Sequence, residues 1–362
     1  MSNLLKIAIV GCGRVAGHHV RAIGNNPNLR LIAICDIKED RLTSLKGVDR
    51  IPAYVNYHDM LRRHPETDVV AIITPSGMHF EHAMDMVKQY GKSVVIEKPV
   101  VMRVTQGEEL ARASSESGVH VFPVHQYRFN RCVQRIRNAI IQNELGPLVL
   151  ASVRMRWCRP QSYYDRDPWR GTFALDGGCC TNQGIHHLDM LRYFIGEVKR
   201  VNAIMSTRGV EIEVEDTVVA NVEFENGTLG VIEITTAARP RDFESSLSVI
   251  GLKGLAMLGG WATDKLVTFS PKPEDEQTYS DTFADAYGIG HNDIYAGVYE
   301  TIVNGGKPAV EFSDAMLTIR FLQAVYLSNE RKQWIDLASN DESQCLGRYD
   351  EALTQLYRTP KL

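Results

Sequence analysis

Up to about residue 120, short apolar runs alternate with stretches whose apolar positions recur at helical spacing. The runs at 6–10, 29–35, 69–74, 93–97 and 119–124 read as strands. The stretches at 14–24, 39–45, 57–63, 79–90 and 105–117 read as helices between them. Strand and helix in strict alternation predict a parallel sheet covered on both faces, because parallel strands need crossover connections. After about Gly146 the pattern changes. Residues 148–159, 200–207, 217–224, 227–235 and 244–250 read as strands with few helices among them, which predicts a large, mostly antiparallel open sheet. Asn226-Gly227 has the composition of a tight hairpin turn. Helical patterns return at 131–143, 183–194, 293–303 and 314–329. The reading is an α/β chain with two domains: a Rossmann-type domain over residues 1–125, and a substrate-binding and oligomerisation domain over 126–362.

Composition narrows the function. The chain has 362 residues, 44% apolar and 23% charged, with a net charge of −4. No basic excess points to nucleic acid, and no apolar run approaches the length of a membrane span. The N-terminus runs directly into a strand and a glycine turn, so the expected location is cytoplasmic. The seven cysteines are odd in number and include no C-x-x-C, which argues against a disulfide framework or a zinc site. No metal is expected.

The first strand ends in Gly11-Cys12-Gly13-Arg14-Val15-Ala16, the pattern G-x-G-x-x-A between a strand and a helix. Gly11 permits the turn, Gly13 lets the main chain approach a pyrophosphate, and Ala16 lets helix and sheet pack closely. Phosphates at that helix N-terminus meet free N–H groups. Asp36 closes the second strand, about 20 residues on, where a carboxylate accepts both ribose hydroxyls and repels a 2′-phosphate. The expected cofactor is therefore NAD; the plainer reading of Asp36 is a cap for the helix after it.

Two further clusters carry chemistry. Glu97-Lys98-Pro99 ends a strand, at the sheet edge where ligands bind in open α/β folds. Residues 177–189, GGCCTNQGIHHLD, place Asn182 four residues before His186 and Asp189 three after it, so all three share a face if the helix has begun. An imidazole there is suited to take a hydroxyl proton near neutral pH. The plainer readings are a surface lysine and a buried histidine bonded to Asp189.

Taken together, the glycine turn, Thr74-Pro75-Ser76-Gly77-Met78-His79, Glu97-Lys98-Pro99 and Asn182-x-Gly184-x-His186-x-x-Asp189 resemble the Gfo/Idh/MocA oxidoreductases over nearly the whole chain. The resemblance implies that Lys98 and His186 flank the nicotinamide and the reacting carbon. It implies a dinucleotide site built from Gly11, Gly13, Arg14, Val15, Asp36, Thr74, Pro75, His79, Glu97, Lys98 and Gln126. The family often has aspartate at the position of Asn182; asparagine orients a histidine without adding charge.

Residues 159–172, with Arg159, Tyr163, Arg166, Trp169 and Arg170, are similar to nucleotide-sugar members of the family. Guanidinium groups bind diphosphate and carboxylate bidentately, and aromatic rings stack on a base or sugar. The implied sugar-contacting set is Arg128, Trp169, Arg170, Thr172, Asn182, Gln183 and His186. Arg154 and Arg156 share one strand face and fit substrate contact or an interface ion-pair network equally. The implied reaction is oxidation at C3 of UDP-N-acetylglucosaminuronic acid for surface-polysaccharide synthesis, in a homodimer or homotetramer. An inositol or free-sugar dehydrogenase and a non-catalytic dinucleotide-binding regulator are the alternatives.

Overall fold

In the computed structural model, residues 4–360 are described. The chain divides into two compact units. The first comprises residues 1–124, 291–316 and 349–362; the second comprises 125–290 and 317–348. The sequence expectation of one cut near residue 125 thus meets two later returns to the first unit. Packing explains them. The helix Ala16–Asn25 lies against the helix His291–Asn304, and near the C-terminus Arg358 reaches Glu81 with Nε and Nη2 at 2.7 and 2.8 Å.

The first unit is built on six parallel strands: β1 (Leu5–Val10), β2 (Leu29–Cys35), β3 (Ala53–Tyr54), β4 (Val69–Ile72), β5 (Ser93–Ile96) and β6 (Val121–Pro123), in the order β3-β2-β1-β4-β5-β6. This is the doubly wound order, which opens a crevice at the carboxyl ends of β1 and β4. All four residues of β4 and of β5 are buried, as expected of strands covered on both faces. The glycine turn follows β1, the Thr74 segment follows β4, and Glu97-Lys98-Pro99 follows β5, so three motifs share one edge of one sheet.

The second unit holds β7 (Leu148–Arg156), β8 (Val198–Ser206), β9 (Thr217–Phe224), β10 (Leu229–Thr235), β11 (Glu244–Gly251), β12 (Leu255–Gly259), β13 (Lys265–Phe269) and β14 (Ile335–Asp336). Their order is β13-β12-β11-β7-β10-β9-β8-β14, antiparallel except where β10 runs parallel to β7. Asn226-Gly227 turns β9 into β10, with Gly227 at φ +84°. Burial alternates along β9 and β10, the mark of a sheet with one face on a core. The helix Ile185–Ile195 packs on β7 from the inner side, and every residue in it but Tyr193 is buried.

Candidate active site

In the first unit, the two glycines of the turn meet different surroundings. Gly11 has φ +99°, and a Cβ there would lie 2.5 Å from the Ile73 carbonyl oxygen. At Gly13 a Cβ would meet nothing within 4 Å. The first glycine is therefore required by the fold, while the second leaves open space beside the helix N-terminus, which suits a pyrophosphate. Asp36 is buried, and its carboxylate accepts N–H groups from Cys12 at 2.8 Å and Lys38 at 2.9 Å. It ties the glycine turn to the end of β2, and a carboxylate has lone pairs left for two ribose hydroxyls. Arg41 stands 3.9 Å from the same carboxylate.

In the same unit, Thr74, His79, Glu97 and Lys98 take part in a polar layer around the strand ends. Both ring nitrogens of His79 face main-chain carbonyls, Nδ1 to Pro99 at 2.7 Å and Nε2 to Thr74 at 2.9 Å. Burial lowers the pKa of His79, against the pull of both carbonyls and Glu97, so the neutral ring, with one N–H, serves one carbonyl at a time. His79 thus ties the segments after β4 and β5 together through the backbone. The Thr74 hydroxyl lies 3.0 Å from His82 Nδ1. Glu97 accepts from Nε2 of His19 at 3.0 Å, from Nε2 of His291 at 3.2 Å and from the Lys98 N–H at 3.1 Å. Burial raises the carboxyl's pKa, but the two imidazole bonds outweigh it and hold Glu97 ionised, well below the usual range. His19 donates through Nε2, which leaves Nδ1 to accept the Tyr295 hydroxyl at 2.9 Å. These rings and the carboxylate have the donor set of a metal site, but their distances are those of hydrogen bonds. Lys98 follows on a cis peptide to Pro99.

In the second unit, Gln126–Phe129 form a short turn of helix in which Gln126, Tyr127 and Arg128 are all buried. Arg128 binds Asp189 bidentately, Nε at 2.7 Å and Nη2 at 2.6 Å, with its guanidinium over the Tyr193 ring. Thr318 donates to the same carboxylate at 2.8 Å, and His125 Nδ1 is 3.4 Å away. Burial pushes the Asp189 pKa up, and Arg128 with His125 overcomes it, so the carboxyl stays ionised well below its ordinary value. Asp189 therefore anchors the helix that carries His186. The His186 ring is buried and stacks on Tyr127, with centroids 4.4 Å apart and planes at 23°. His187 bonds the Ser245 hydroxyl at 2.9 Å, and burial lowers its pKa to about 4, so it is a neutral core residue.

Asn182 and His186 do not lie on one continuous helix. A short helix, Cys179–Asn182, stops before the helix Ile185–Ile195 begins. The break falls at Gly184, where a Cβ would sit 2.7 Å from the Ile234 side chain and 3.0 Å from the Cys180 carbonyl. Asn182 instead donates to Asp176, whose other oxygen accepts the Gly171 N–H at 2.7 Å. Thr172 bonds the Trp169 carbonyl at 2.8 Å, which closes the loop around Arg170.

Arg170 and Gln183 meet at the Tyr163 hydroxyl, which accepts from Arg170 Nη1 at 2.8 Å and Gln183 Nε2 at 3.3 Å. Arg170 lies 4.4 Å from the Trp169 ring centroid and 4.6 Å from that of Tyr163; Arg159 and Arg166 approach the same tyrosine at 5.6 and 6.0 Å. Arg154 and Arg156 lie elsewhere, on the outward face of the sheet, paired with Glu233 and, for Arg156, Glu244.

Sequence reasoning missed Tyr127 as the stacking partner of His186, and it missed His19 and His291 as partners of Glu97. The Tyr127 signal was available in the Gln126–Asn130 stretch; nothing in spacing joins residues 19, 97 and 291.

Two family models match: residues 5–125 fit an oxidoreductase family with an NAD-binding Rossmann fold, and residues 133–257 fit the GFO/IDH/MocA C-terminal domain. The WlbA dehydrogenase from Bordetella pertussis, solved with NADH and UDP-GlcNAcA, is 31% identical, with a TM-score of 0.87 over 93% of this chain and 98% of that one. The chain belongs to the Gfo/Idh/MocA oxidoreductase family. A second WlbA dehydrogenase, from Chromobacterium violaceum and solved with the same two ligands, is also 31% identical, with a TM-score of 0.83 over 92% and 96% of the two chains. Myo-inositol 2-dehydrogenase of Thermotoga maritima is 24% identical over 92% of this chain and 98% of its own length. As a Gfo/Idh/MocA enzyme, the chain is an NAD-dependent dehydrogenase of the sugar and polyol class. No helix among the described residues is long and apolar enough to cross a membrane.

Proposed function

We propose that this enzyme oxidises the C3 hydroxyl of UDP-N-acetylglucosaminuronic acid to a ketone, as a step in making a bacterial surface-polysaccharide sugar. The observation that carries the reading is the Tyr163 cluster, three arginines around one aromatic ring whose hydroxyl also accepts from Gln183. A free cyclitol has no diphosphate or carboxylate for such a cluster to bind. The likeness to two dehydrogenases solved with UDP-GlcNAcA supports the same substrate.

When bound, NAD accepts the hydride from C3. Gly11, Gly13, Arg14, Val15 and Asp36 hold its pyrophosphate and adenosine ribose. Thr74, Pro75, His79, Glu97 and Gln126 shape the nicotinamide end. The hydroxyl proton leaves to the His186 imidazole, whose ring is fixed by Tyr127, or to the Lys98 amine; the other residue hydrogen-bonds the developing carbonyl oxygen. Arg170, Trp169, Thr172, Asn182 and Gln183 bind the nucleotide sugar, while Arg128 acts through Asp189. The seven cysteines are free thiols, consistent with a reducing cytoplasm.

The test is NADH formation with UDP-N-acetylglucosaminuronate set against inositols and free monosaccharides. Turnover confined to a cyclitol or free sugar would replace this substrate with that of the inositol relatives. Lys98→Met and His186→Ala should each lower kcat about 10²–10⁴-fold with NAD still bound. Wild-type turnover in either variant would remove that residue from the chemistry.

A further inference from the structure

The second unit contains a buried polar assembly outside the dinucleotide and sugar clusters. It centres on the hydroxyl of Tyr326, on the helix Phe312–Arg331. That hydroxyl donates to Glu215 Oε1 at 2.8 Å and accepts the Gly178 N–H at 3.0 Å. The Thr181 hydroxyl is 2.8 Å away and completes its coordination. Glu215 also accepts the Cys180 N–H at 3.0 Å through Oε1, and its own carbonyl accepts the Cys179 N–H at 3.0 Å. Four consecutive residues, 178–181, are therefore each held by one of these two side chains or by the Glu215 main chain. The fit is tight: a Cβ on Gly178 would lie 2.0 Å from the Glu215 carboxyl.

Glu215, Tyr326 and Thr181 are almost wholly buried. Among the described residues no cation is paired with the Glu215 carboxyl, and Oε2 is buried with no partner. Burial raises its pKa to about 7, which favours the neutral acid, and its Oε1 accepts two bonds as a carbonyl oxygen does. A feature that only filled the core would not need an accepting oxygen here; one that fixes main-chain N–H groups does. The residues so fixed lead directly into Asn182, Gln183 and His186.

We propose that Glu215 and Tyr326 are positioning residues for the oxidation, setting the main chain at 178–181 and through it the place of Asn182, Gln183 and His186. The proposal rests on the catalytic role given above to His186, but its structural half stands apart from any substrate.

The test uses the full-length enzyme and three variants, Tyr326→Phe, Glu215→Ala and Glu215→Gln. Gln keeps the oxygen that accepts from Tyr326 and Cys180, whereas Ala and Phe remove it or its donor. Tyr326→Phe and Glu215→Ala should lower kcat about 10–100-fold, the scale seen when a supporting residue is lost. Affinity for NAD should stay unchanged, and Glu215→Gln should restore most of the turnover. Amide hydrogen exchange without substrate should rise at least about tenfold across 178–187 in Tyr326→Phe, with the strands of the same unit unaltered. Wild-type kcat in Tyr326→Phe, uniform loosening of the whole unit, or a Glu215→Gln variant no better than Glu215→Ala would each overturn the proposal. If the wild type oxidises no sugar, the function proposed above fails on its own account, and the exchange pattern still decides whether these two residues hold the segment.

Discussion

Buried charge at single residues is matched with care in this protein. Asp189 is nearly inaccessible and is ionised because Arg128 grips it with two N–H groups while Thr318 donates to it. Removing one member of such a pair strands the other in a medium of low dielectric, which costs about 3–5 kcal/mol. Arg128→Met should therefore destabilise the enzyme by about that amount, measured by urea unfolding. Asp189→Asn should cost as much, and the double variant should cost less than the sum of the two. Full additivity would mean that the pair contributes nothing jointly. His187 follows the opposite course: it is buried and neutral, with Nε2 bonded to Ser245 and no charge to lose.

At the scale of elements, Asn182 and His186 flank the junction between the helices Cys179–Asn182 and Ile185–Ile195, and Glu215, which holds that segment, has a signature in pH. The folded-state pKa of Glu215, about 7, lies above the ordinary carboxyl value of 4.5. The folded state thus binds this proton more tightly, so the contribution is fully present below pH 4.5 and is lost as pH rises through 7. Relative to Glu215→Gln, the wild type should lose stability on the order of 3 kcal/mol between pH 4.5 and 8, read from urea midpoints at both pH values. A constant difference would mean that Glu215 does not titrate in this window. Asp189 and Glu97 have the reverse sign, and their stabilisation fades only in acid.

Most elements were legible in the sequence because the physics that forms them is local. All-apolar runs gave the buried parallel strands, and alternation gave β9 and β10. What escaped depends on distant neighbours. The strands β12 and β13 are five residues each, too short for a periodicity to establish itself, and β14 has two. The stretch 79–90 reads as one helix, yet its second half, Asp85–Gln89, widens to a π-helical turn. The break before Ile185 is imposed by the Ile234 side chain on β10, which no local pattern reports. Glu215, flanked by acids in Glu213-Val214-Glu215-Asp216, reads as solvated and is in fact buried.

On the scale of the whole molecule, the eight-stranded sheet has one face packed and one open. The register places Leu150, Ile204, Val219, Leu229, Val231 and Ile250 together on the open face, all exposed. Arg154 and Arg156 share that face with Glu233. An apolar patch rimmed by ion pairs has the make-up of a subunit interface, which gives the homo-oligomer expected from the sequence a direct test. Light scattering of Leu229→Glu combined with Val219→Glu should show a lower mass than the wild type. A wild type that is already monomeric would exclude this role for the sheet.

The contrast between the two glycines of the first turn offers a practical separation of folding from redox chemistry. At position 11 the protein itself forbids a methyl group; at position 13 only a bound guest would object. A Gly13→Ala chain should melt at the wild-type temperature yet retain little dinucleotide, as calorimetric titration would register. Such a chain would let sugar affinity be measured on an intact scaffold that cannot turn its substrate over.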